Sequence, residues 1–206
     1  MNFQRVGQPQ IPKITPAELE SHGITKRFQG VTFEALAARG IPRSLEPGWK
    51  AVQEYRSQLK AATDEGMGLI LTGNIGTGKT TLAVAILREL LETSTRRSGQ
   101  IIPMISLIDN LVTMQRMDKT EAAEYEQRIR RCELLVLDDL GGENTTQPWV
   151  QAKVDSIITE RYNRMKSIIV TTNLDPDALT KIYGGRIVDR LRSTCRVIRF
   201  TGQSLR

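Results

Sequence analysis

The chain has 206 residues, of which 39% are hydrophobic and 25% are charged, and its formal net charge is +6. This size suits one globular domain and excludes two domains of full size. Two cysteines and one histidine exclude a disulfide framework and a four-ligand zinc site. We expect Cys132 and Cys195 to be buried free thiols and His22 to be an exposed surface residue.

Residues 1–27 are rich in Pro, Gln and Gly and show no sustained apolar period, which predicts a short N-terminal arm, extended or poorly ordered. One domain is expected over residues 28–206. No apolar run approaches the roughly 18 to 20 residues that span a bilayer, and the start of the chain lacks the apolar core of a signal peptide. We therefore expect a soluble, cytoplasmic protein without a membrane partner.

Strands and helices are predicted to alternate along this domain. A helix follows Pro47, and the apolar run 67–73 is typical of a buried parallel strand. The later predicted elements are a helix (79–92), a strand interrupted by Pro103 and placed at a sheet edge or bulge (100–107), a polar helical stretch (109–131), a strand (132–138), an amphipathic helix (148–165) and two strands (167–174 and 195–200). This order predicts an α/β fold with three layers, in which helices cover both faces of a parallel sheet.

The stretch "TGNIGTGKTTLA" lies between the first strong strand and its helix. Gly73, four residues, Gly78, Lys79 and Thr80 match the P-loop pattern, in which backbone N–H groups at a helix N-terminus hold phosphates. Lys79 is predicted to contact the β- and γ-phosphates and Thr80 to bind Mg²⁺. The alternative is a glycine-rich turn with a chance lysine. The predicted nucleotide contacts are Gly73, Asn74, Ile75, Gly76, Thr77, Gly78, Lys79, Thr80 and Thr81, although packing or capping suits Thr81 better because Thr80 already supplies the hydroxyl of the motif.

Polar side chains end two further strands. Asp138 follows five apolar residues in six positions and is predicted to orient Mg²⁺, while Asp139 is predicted to polarise the attacking water. Asn173 ends the next strong strand, where it is predicted to position that water against the γ-phosphate. The alternatives are a turn or helix cap for the acids and an Asx turn for Asn173.

Positive charge is concentrated near the end of the chain. Residues 181–206 contain one lysine and six arginines against a single acid, which is a net charge of +6. Such a cluster indicates a phosphate-bearing partner, either a nucleotide or a nucleic acid. A solvated basic face is the alternative.

The P-loop, "LLVLDDLGGE", "VTTNL" and "GGRIVDRLR" occur in this order, and the chain from residue 28 to 206 resembles the AAA+ ATPases of the DnaC-like replicative helicase loaders and the IstB-like transposition helpers. The resemblance implies a P-loop NTPase core of the AAA+ (ASCE) type with a parallel sheet. It implies Walker A and B elements on adjacent strands, with the sensor asparagine on the strand between them. It also implies ATP and Mg²⁺ as cofactors and a spiral homo-oligomer.

The resemblance further assigns roles to three arginines. Arg190 is the first choice and Arg186 the second for an arginine finger that reaches the ATP site of a neighbouring subunit. The alternative is that both arginines form salt bridges within their own chain. Arg206 matches a nucleotide-sensing arginine, unless it frays as the last residue.

DNA binding in this family involves the region between the second and third strands. Sequence-neutral, salt-dependent contacts to DNA, single-stranded DNA first, are therefore expected from Ser106, Asn110, Arg116 and Lys119. A solvated helix is the alternative for these four residues. Two aromatic residues ahead of the core, Phe28 and Phe33, are candidates to flank the adenine, with core packing as the alternative.

Three departures from the family pattern stand out. Asp139 replaces the usual glutamate, which predicts slow turnover. The sequence ends at Arg206, so we expect no C-terminal helical lid. We also expect a shorter N-terminal part than in many relatives, which leaves the partner open.

The leading hypothesis is an ATPase, Mg-dependent and DNA-associated, that loads or recruits a replicative helicase. The first alternative is a transposition helper that recruits a transposase. A nucleotide-gated regulatory module with low turnover and a metabolic P-loop kinase are two further alternatives.

Overall fold

The structure is a computed structural model that describes residues 13–96, 98–142 and 148–205, except for the side chains of residues 115–117. Five strands form one parallel sheet: β1 (Gly68–Gly73), β2 (Gly99–Pro103), β3 (Leu134–Asp138), β4 (Ser167–Thr172) and β5 (Cys195–Phe200). Their order in the sheet is β2-β3-β4-β1-β5. The strand before Asn173 therefore lies between β1 and β3, as expected, but β1 and β3 are not adjacent.

Helices cover both faces of this sheet. On one face lie α1 (Pro16–Ser21), α2 (Phe33–Ala38), α3 (Glu46–Ser57), α4 (Leu59–Asp64) and α5 (Lys79–Thr93). On the other face lie α6 (Met104–Met117), α7 (Lys119–Arg131), α8 (Pro148–Asn163), α9 (Pro176–Tyr183) and α10 (Gly185–Thr194). The predicted α/β fold with three layers is confirmed.

Alternating side chains of the central strands divide the hydrophobic core in two. In β1, Leu69 and Leu71 pack with α1–α5, whereas Ile70 packs with α6–α10. Strand β3 alternates in the same way. Because successive side chains of a strand point to opposite faces, a continuous apolar run is what a sheet covered on both faces requires.

The predicted strand over 100–107 is wrong in its second half. Strand β2 ends at Pro103, and α6 begins at Met104. Met104, Leu107 and Leu111 are buried together on one helical face, so helical spacing prevails over the apolar run. The predicted edge position of this strand is confirmed.

The polar stretch after this point forms two helices instead of one. Asp118 separates α6 from α7, and its side chain accepts hydrogen bonds from the backbone N–H groups of Thr120 (2.7 Å) and Glu121 (3.2 Å). An aspartate in this position caps a helix N-terminus because it satisfies donors that have no partner within the helix.

Residues 13–27 differ from the extended arm that the sequence predicts. They include α1, whose N-terminus carries a capping box between Thr15 and Glu18, and they bury Leu19 and Ile24 in the core. The split into an arm (1–27) and a domain (28–206) stays a prediction. His22 is half-buried and not exposed on the surface: its Nδ1 lies 2.7 Å from the Gly99 oxygen, and its own backbone oxygen accepts from Ile101 N (3.0 Å) along the outer edge of β2.

Helix α8 is fixed to the sheet by a buried arginine. Arg161 is 1% exposed and donates from Nη1 to the Ile129 oxygen (2.7 Å), at the last turn of α7. Its Nη2 donates to the Ser167 oxygen at the start of β4. Helix α8 also carries Asp155, which pairs with two arginines of α10.

Cys132 and Cys195 are buried free thiols, as predicted. Burial raises the pKa of the Cys195 thiol to about 12, so this thiol stays protonated at neutral pH. Within the described ranges, none of the helices is both long and apolar enough to cross a membrane.

Candidate nucleotide-binding site

The P-loop connects the end of β1 to the first residue of α5. Lys79 begins α5 and is only 7% exposed. Its ammonium group donates hydrogen bonds to the backbone oxygens of Gly73 (2.8 Å) and Asn74 (2.7 Å) and to Oδ1 of Asn173 (2.8 Å). The positive charge is therefore held in the turn by oxygens from two strand ends.

Glycines allow the turn to adopt its shape. Gly76 and Gly78 have φ of 80° and 85°, a left-handed conformation that residues with a Cβ rarely adopt. Thr77 is buried between them, and its hydroxyl donates to the Asn74 oxygen (2.9 Å). The turn then leads into the N-terminus of α5, where the first backbone N–H groups have no acceptor within the helix and can bind a phosphate.

The hydroxyl of Thr80 meets the end of β3. Thr80 Oγ1 donates to Oδ1 of Asp138 (2.7 Å), and the same oxygen accepts from Thr171 Oγ1 (2.6 Å) on the neighbouring strand β4. The sequence pattern did not assign a role to Thr171. Its hydroxyl also accepts from the backbone N–H of Asp139 (2.8 Å), so it contacts both acidic residues.

Asp139 adopts an unusual backbone conformation, with φ of 59°. Its Oδ1 accepts from the side-chain amide of Asn173 (3.0 Å), whose oxygen in turn accepts from Lys79. Asn173 therefore links the second acid to the P-loop lysine. The predicted residues of this site, with the exception of the arginines, meet at the carboxyl edge of the sheet.

The P-loop, both acids and Asn173 line a cavity of about 880 Å³. Phe28 lines the same cavity, whereas Phe33 is 1% exposed and packs against Trp49 with ring centroids 5.8 Å apart. Core packing is therefore the role of Phe33, whereas Phe28 stays a candidate to flank the adenine. A turn of N–H groups, a lysine and an apolar wall fit a nucleoside polyphosphate.

The oxygens of Thr80 and Asp138 also fit magnesium, which prefers oxygen ligands. Magnesium is usually bound through one or two protein carboxylates, and phosphates and waters supply its other ligands. Among the described residues, no three His, Cys, Asp or Glu side chains form a group that could hold a metal ion by themselves.

The candidate finger arginines lie outside this cavity and share one carboxylate. Arg186 and Arg190 on α10 both pair with Asp155 on α8, and Arg190 also donates to Thr159. The Arg190 guanidinium lies 6.0 Å from the ring centroid of Tyr162. The side chain of Arg190 is 22% exposed and that of Arg186 is 71% exposed, so the second choice from the sequence is the more accessible one.

The basic cluster near the end of the chain is partly neutralised within the molecule. Besides the two arginines on Asp155, Arg196 pairs with Glu54 (2.7 Å). Arg206 lies outside the described residues. The residue before it, Leu205, donates its backbone N–H to the Gly76 oxygen (2.9 Å), so the end of the described chain lies against the P-loop.

The four predicted DNA contacts lie on or beside α6. Lys119 is exposed, and Ser106 is half-buried. The amide of Asn110 donates to the hydroxyl of Tyr125 (3.1 Å) and so joins α6 to α7. The side chain of Arg116 lies outside the described residues. DNA binding by these four residues stays a prediction.

Comparison with known proteins gives a consistent result. A family model described as IstB-like ATP binding protein matches residues 46–206. The replicative helicase loader DnaC of Escherichia coli (strain K12) is 26% identical over 175 residues, which cover 82% of this chain and 66% of DnaC. The replicative helicase loader DnaI of Bacillus subtilis (strain 168) is 26% identical over 157 residues, or 70% of this chain and 49% of DnaI.

A crystal structure of the DnaC helicase loader superposes with a TM-score of 0.75 and 25% identity, and it covers 86% of this chain and 100% of that one. The chain spans just under two thirds of DnaC and about half of DnaI. Its fold is that of the P-loop AAA+ proteins, as the resemblance implied. Since the family match covers more than half of its length and includes the nucleotide site, the chain belongs to the IstB-like ATP-binding proteins.

Proposed function

We propose that the chain is a Mg-dependent ATPase that assembles with copies of itself on DNA and loads or recruits a replicative helicase. The observation that carries the ATPase activity is the network at the carboxyl edge, in which Asn173 joins Lys79 to Asp139 and Asp138 meets Thr80. Similarity to DnaC over 82% of the chain supports the helicase as partner.

The site residues divide the work of hydrolysis between them. Lys79 and the N–H groups at the start of α5 bind the β- and γ-phosphates, and Thr80 and Asp138 hold magnesium. Magnesium, when bound, neutralises charge on these phosphates. Asp139 accepts a proton from the attacking water, and Asn173 orients that water. The oxygen of the water bonds to the γ-phosphorus as the bond to the β-bridging oxygen breaks, which yields ADP and phosphate.

The arginine finger completes the site between subunits. An arginine from a neighbouring copy, Arg190 or Arg186, stabilises the charge on the transferring phosphoryl group. Both side chains lie apart from the cavity of their own chain and pair with Asp155. The finger therefore acts in trans, and turnover requires assembly.

A transposition helper is the second candidate function. The match of residues 46–206 to the IstB-like family model favours it. In this case, the same ATP-dependent assembly recruits a transposase. The nucleotide chemistry is the same in both candidates, so only the partner distinguishes them.

One experiment tests the proposal. Particle mass and ATP turnover are measured together, with ATP or a non-hydrolysable analogue, and with no DNA, single-stranded DNA or duplex DNA at two salt concentrations. We expect nucleotide and DNA to drive assembly and to raise turnover, more weakly at high salt. A chain that stays monomeric, and whose turnover ignores DNA, contradicts the proposal and favours the regulatory or kinase alternative.

The partner is tested on the assembled particle. A replicative helicase and an IstB-associated transposase are each added, and retention on the DNA-bound particle is measured by sedimentation with ATP and with ADP. Retention of the helicase with ATP supports the loader, and retention of the transposase alone supports the helper.

A further inference from the structure

Thr171 joins the two acidic residues at the end of β3. It lies one position before the end of β4, and it is 2% exposed. Its hydroxyl donates to Oδ1 of Asp138 (2.6 Å) and accepts from the backbone N–H of Asp139 (2.8 Å). One buried hydroxyl therefore donates its only proton to the Asp138 carboxylate and accepts a hydrogen bond from the Asp139 backbone.

The contact with Asp138 adds a second hydrogen bond, besides that from Thr80, that fixes the orientation of this carboxylate. The terminal torsion of an aspartate is broad, so the side-chain conformation alone does not specify where each oxygen points. Thr80 and Thr171 approach the same oxygen, Oδ1, from α5 and from β4. Oδ2 forms no hydrogen bond with any residue in the described part of the chain, which leaves it available to a ligand of the cavity.

The contact with Asp139 supports a strained turn. A φ of 59° is uncommon for a residue with a Cβ and carries a conformational cost. Thr171 holds this turn twice, because its hydroxyl accepts from Asp139 N and its backbone oxygen accepts from Leu140 N (2.8 Å). The turn directs the Asp139 side chain to the amide of Asn173.

We propose that Thr171 is a positioning residue that sets the orientation of Asp138 toward magnesium and of Asp139 toward the attacking water. The inference rests on the proposed ATPase function, since it assigns a role within that site. In this proposal, Thr171 acts through the two acidic residues that it contacts. It couples the two acids, so that they are oriented together.

The adjacent threonine provides a matched control. Thr172 is equally buried, and its hydroxyl donates to the Leu140 oxygen (2.7 Å) and accepts from Leu174 N (3.1 Å), without contact to either acid. Thr171→Val and Thr172→Val therefore remove the same atom from neighbouring positions of one strand. Thr171→Ser retains the hydroxyl.

The test measures nucleotide affinity and turnover. A fluorescent non-hydrolysable ATP analogue is titrated with Mg²⁺ and with a chelator, and the ratio of the two affinities gives the gain from magnesium. Thr171→Val is expected to lower this gain by about tenfold and kcat by about ten- to a hundredfold, with little change in affinity in the chelator. Thr171→Ser should recover most of both, and Thr172→Val should keep both.

Thermal unfolding of each variant separates misfolding from mispositioning, and Thr171→Ala replaces Thr171→Val if the valine variant does not fold. Equal magnesium gain and equal kcat in Thr171→Val and Thr172→Val would overturn the inference and leave the ATPase proposal intact. If the unaltered chain hydrolyses no ATP, yet Thr171→Val alone loses the magnesium gain, the ATPase proposal fails and the orienting role toward Asp138 is upheld.

Discussion

The carboxyl edge of the sheet and the surface of α8 and α10 carry two halves of one proposed reaction, and they are built differently. At the edge, Asn173 accepts a hydrogen bond from Lys79 and donates one to Asp139. Asp138 accepts hydrogen bonds from Thr80 and Thr171. On α10, both candidate finger arginines pair with a single carboxylate, Asp155, at partly exposed positions. The first region is organised within one chain, whereas in the proposed mechanism the second acts only when another chain approaches.

The largest effect is expected from a substitution in the nucleotide-binding site at the carboxyl edge of the sheet. Lys79→Ala removes the only ammonium group that the P-loop pattern supplies, and we expect nucleotide affinity to fall about a hundredfold, because charged hydrogen bonds to phosphate are lost. Fluorescent nucleotide titration measures this loss. Lys60→Ala, at a lysine that pairs with Asp64 on α4, is the control and should bind normally. Near-normal turnover in Lys79→Ala would remove the assignment of the site.

Replacing the finger arginine is expected to have an intermediate effect: it should lower turnover without lowering nucleotide affinity. Arg190→Ala and Arg186→Ala are made separately, and the variant that removes the finger should lower kcat about a thousandfold at unchanged nucleotide affinity. Arg192→Ala, at an exposed position of the same helix, is the control. Comparable loss of nucleotide binding in the finger variant would argue against this role.

Mixing variants sharpens the comparison between the two regions. Lys79→Ala chains have an intact finger and Arg190→Ala chains have an intact P-loop, so a mixed assembly contains some complete sites. Partial recovery of ATP turnover on mixing indicates a finger that acts in trans. If no mixture regains activity, the finger does not work between subunits.

The smallest effect should come from Asp155. Asp155→Asn releases Arg186 and Arg190 from their shared carboxylate, and we expect turnover of the assembled protein to rise about two- to fivefold, while the free energy of unfolding falls by about 1.5 to 3 kcal/mol, as is typical of a charged hydrogen bond between partly buried side chains. Glu160→Gln, on the same helix and also paired with two arginines, is the control. Slower turnover in Asp155→Asn would mean that Asp155 orients the finger instead of competing for it.

The sequence predicted the edge well because each of its residues belongs to a local pattern. The P-loop is contiguous, and Asp138 and Asn173 each end an apolar run, so parallel strands bring them together without further information. Thr171 has no such pattern. Its role depends on the register of β3 against β4, in which Leu137 pairs with Val170 and places Thr171 beside the two acids.

Salt bridges of Arg186 and Arg190 within their own chain were the alternative expected from the sequence, but the sequence did not identify Asp155 as the acid. Arg186 and Arg190 are four residues apart on one helix, which predicts a shared face. However, the acid that they share lies 31 residues earlier than Arg186 in the chain, and only the packing of α8 against α10 brings it close. His22 was similarly misjudged, because polar neighbours in the sequence indicate exposure, whereas its actual neighbours come from β2.

The hydrogen bond from Ile101 N to the His22 oxygen lies at the outer edge of β2, the outermost strand of the sheet. An outermost strand presents unpaired backbone groups that can template intermolecular strand pairing and aggregation. Here residues 21–22 meet that edge: Ile101 N and the Gln100 amide donate to them, and His22 contacts Gly99. The family match starts only at residue 46. The family model therefore leaves out residues 21–22, which cover this outer edge of the sheet.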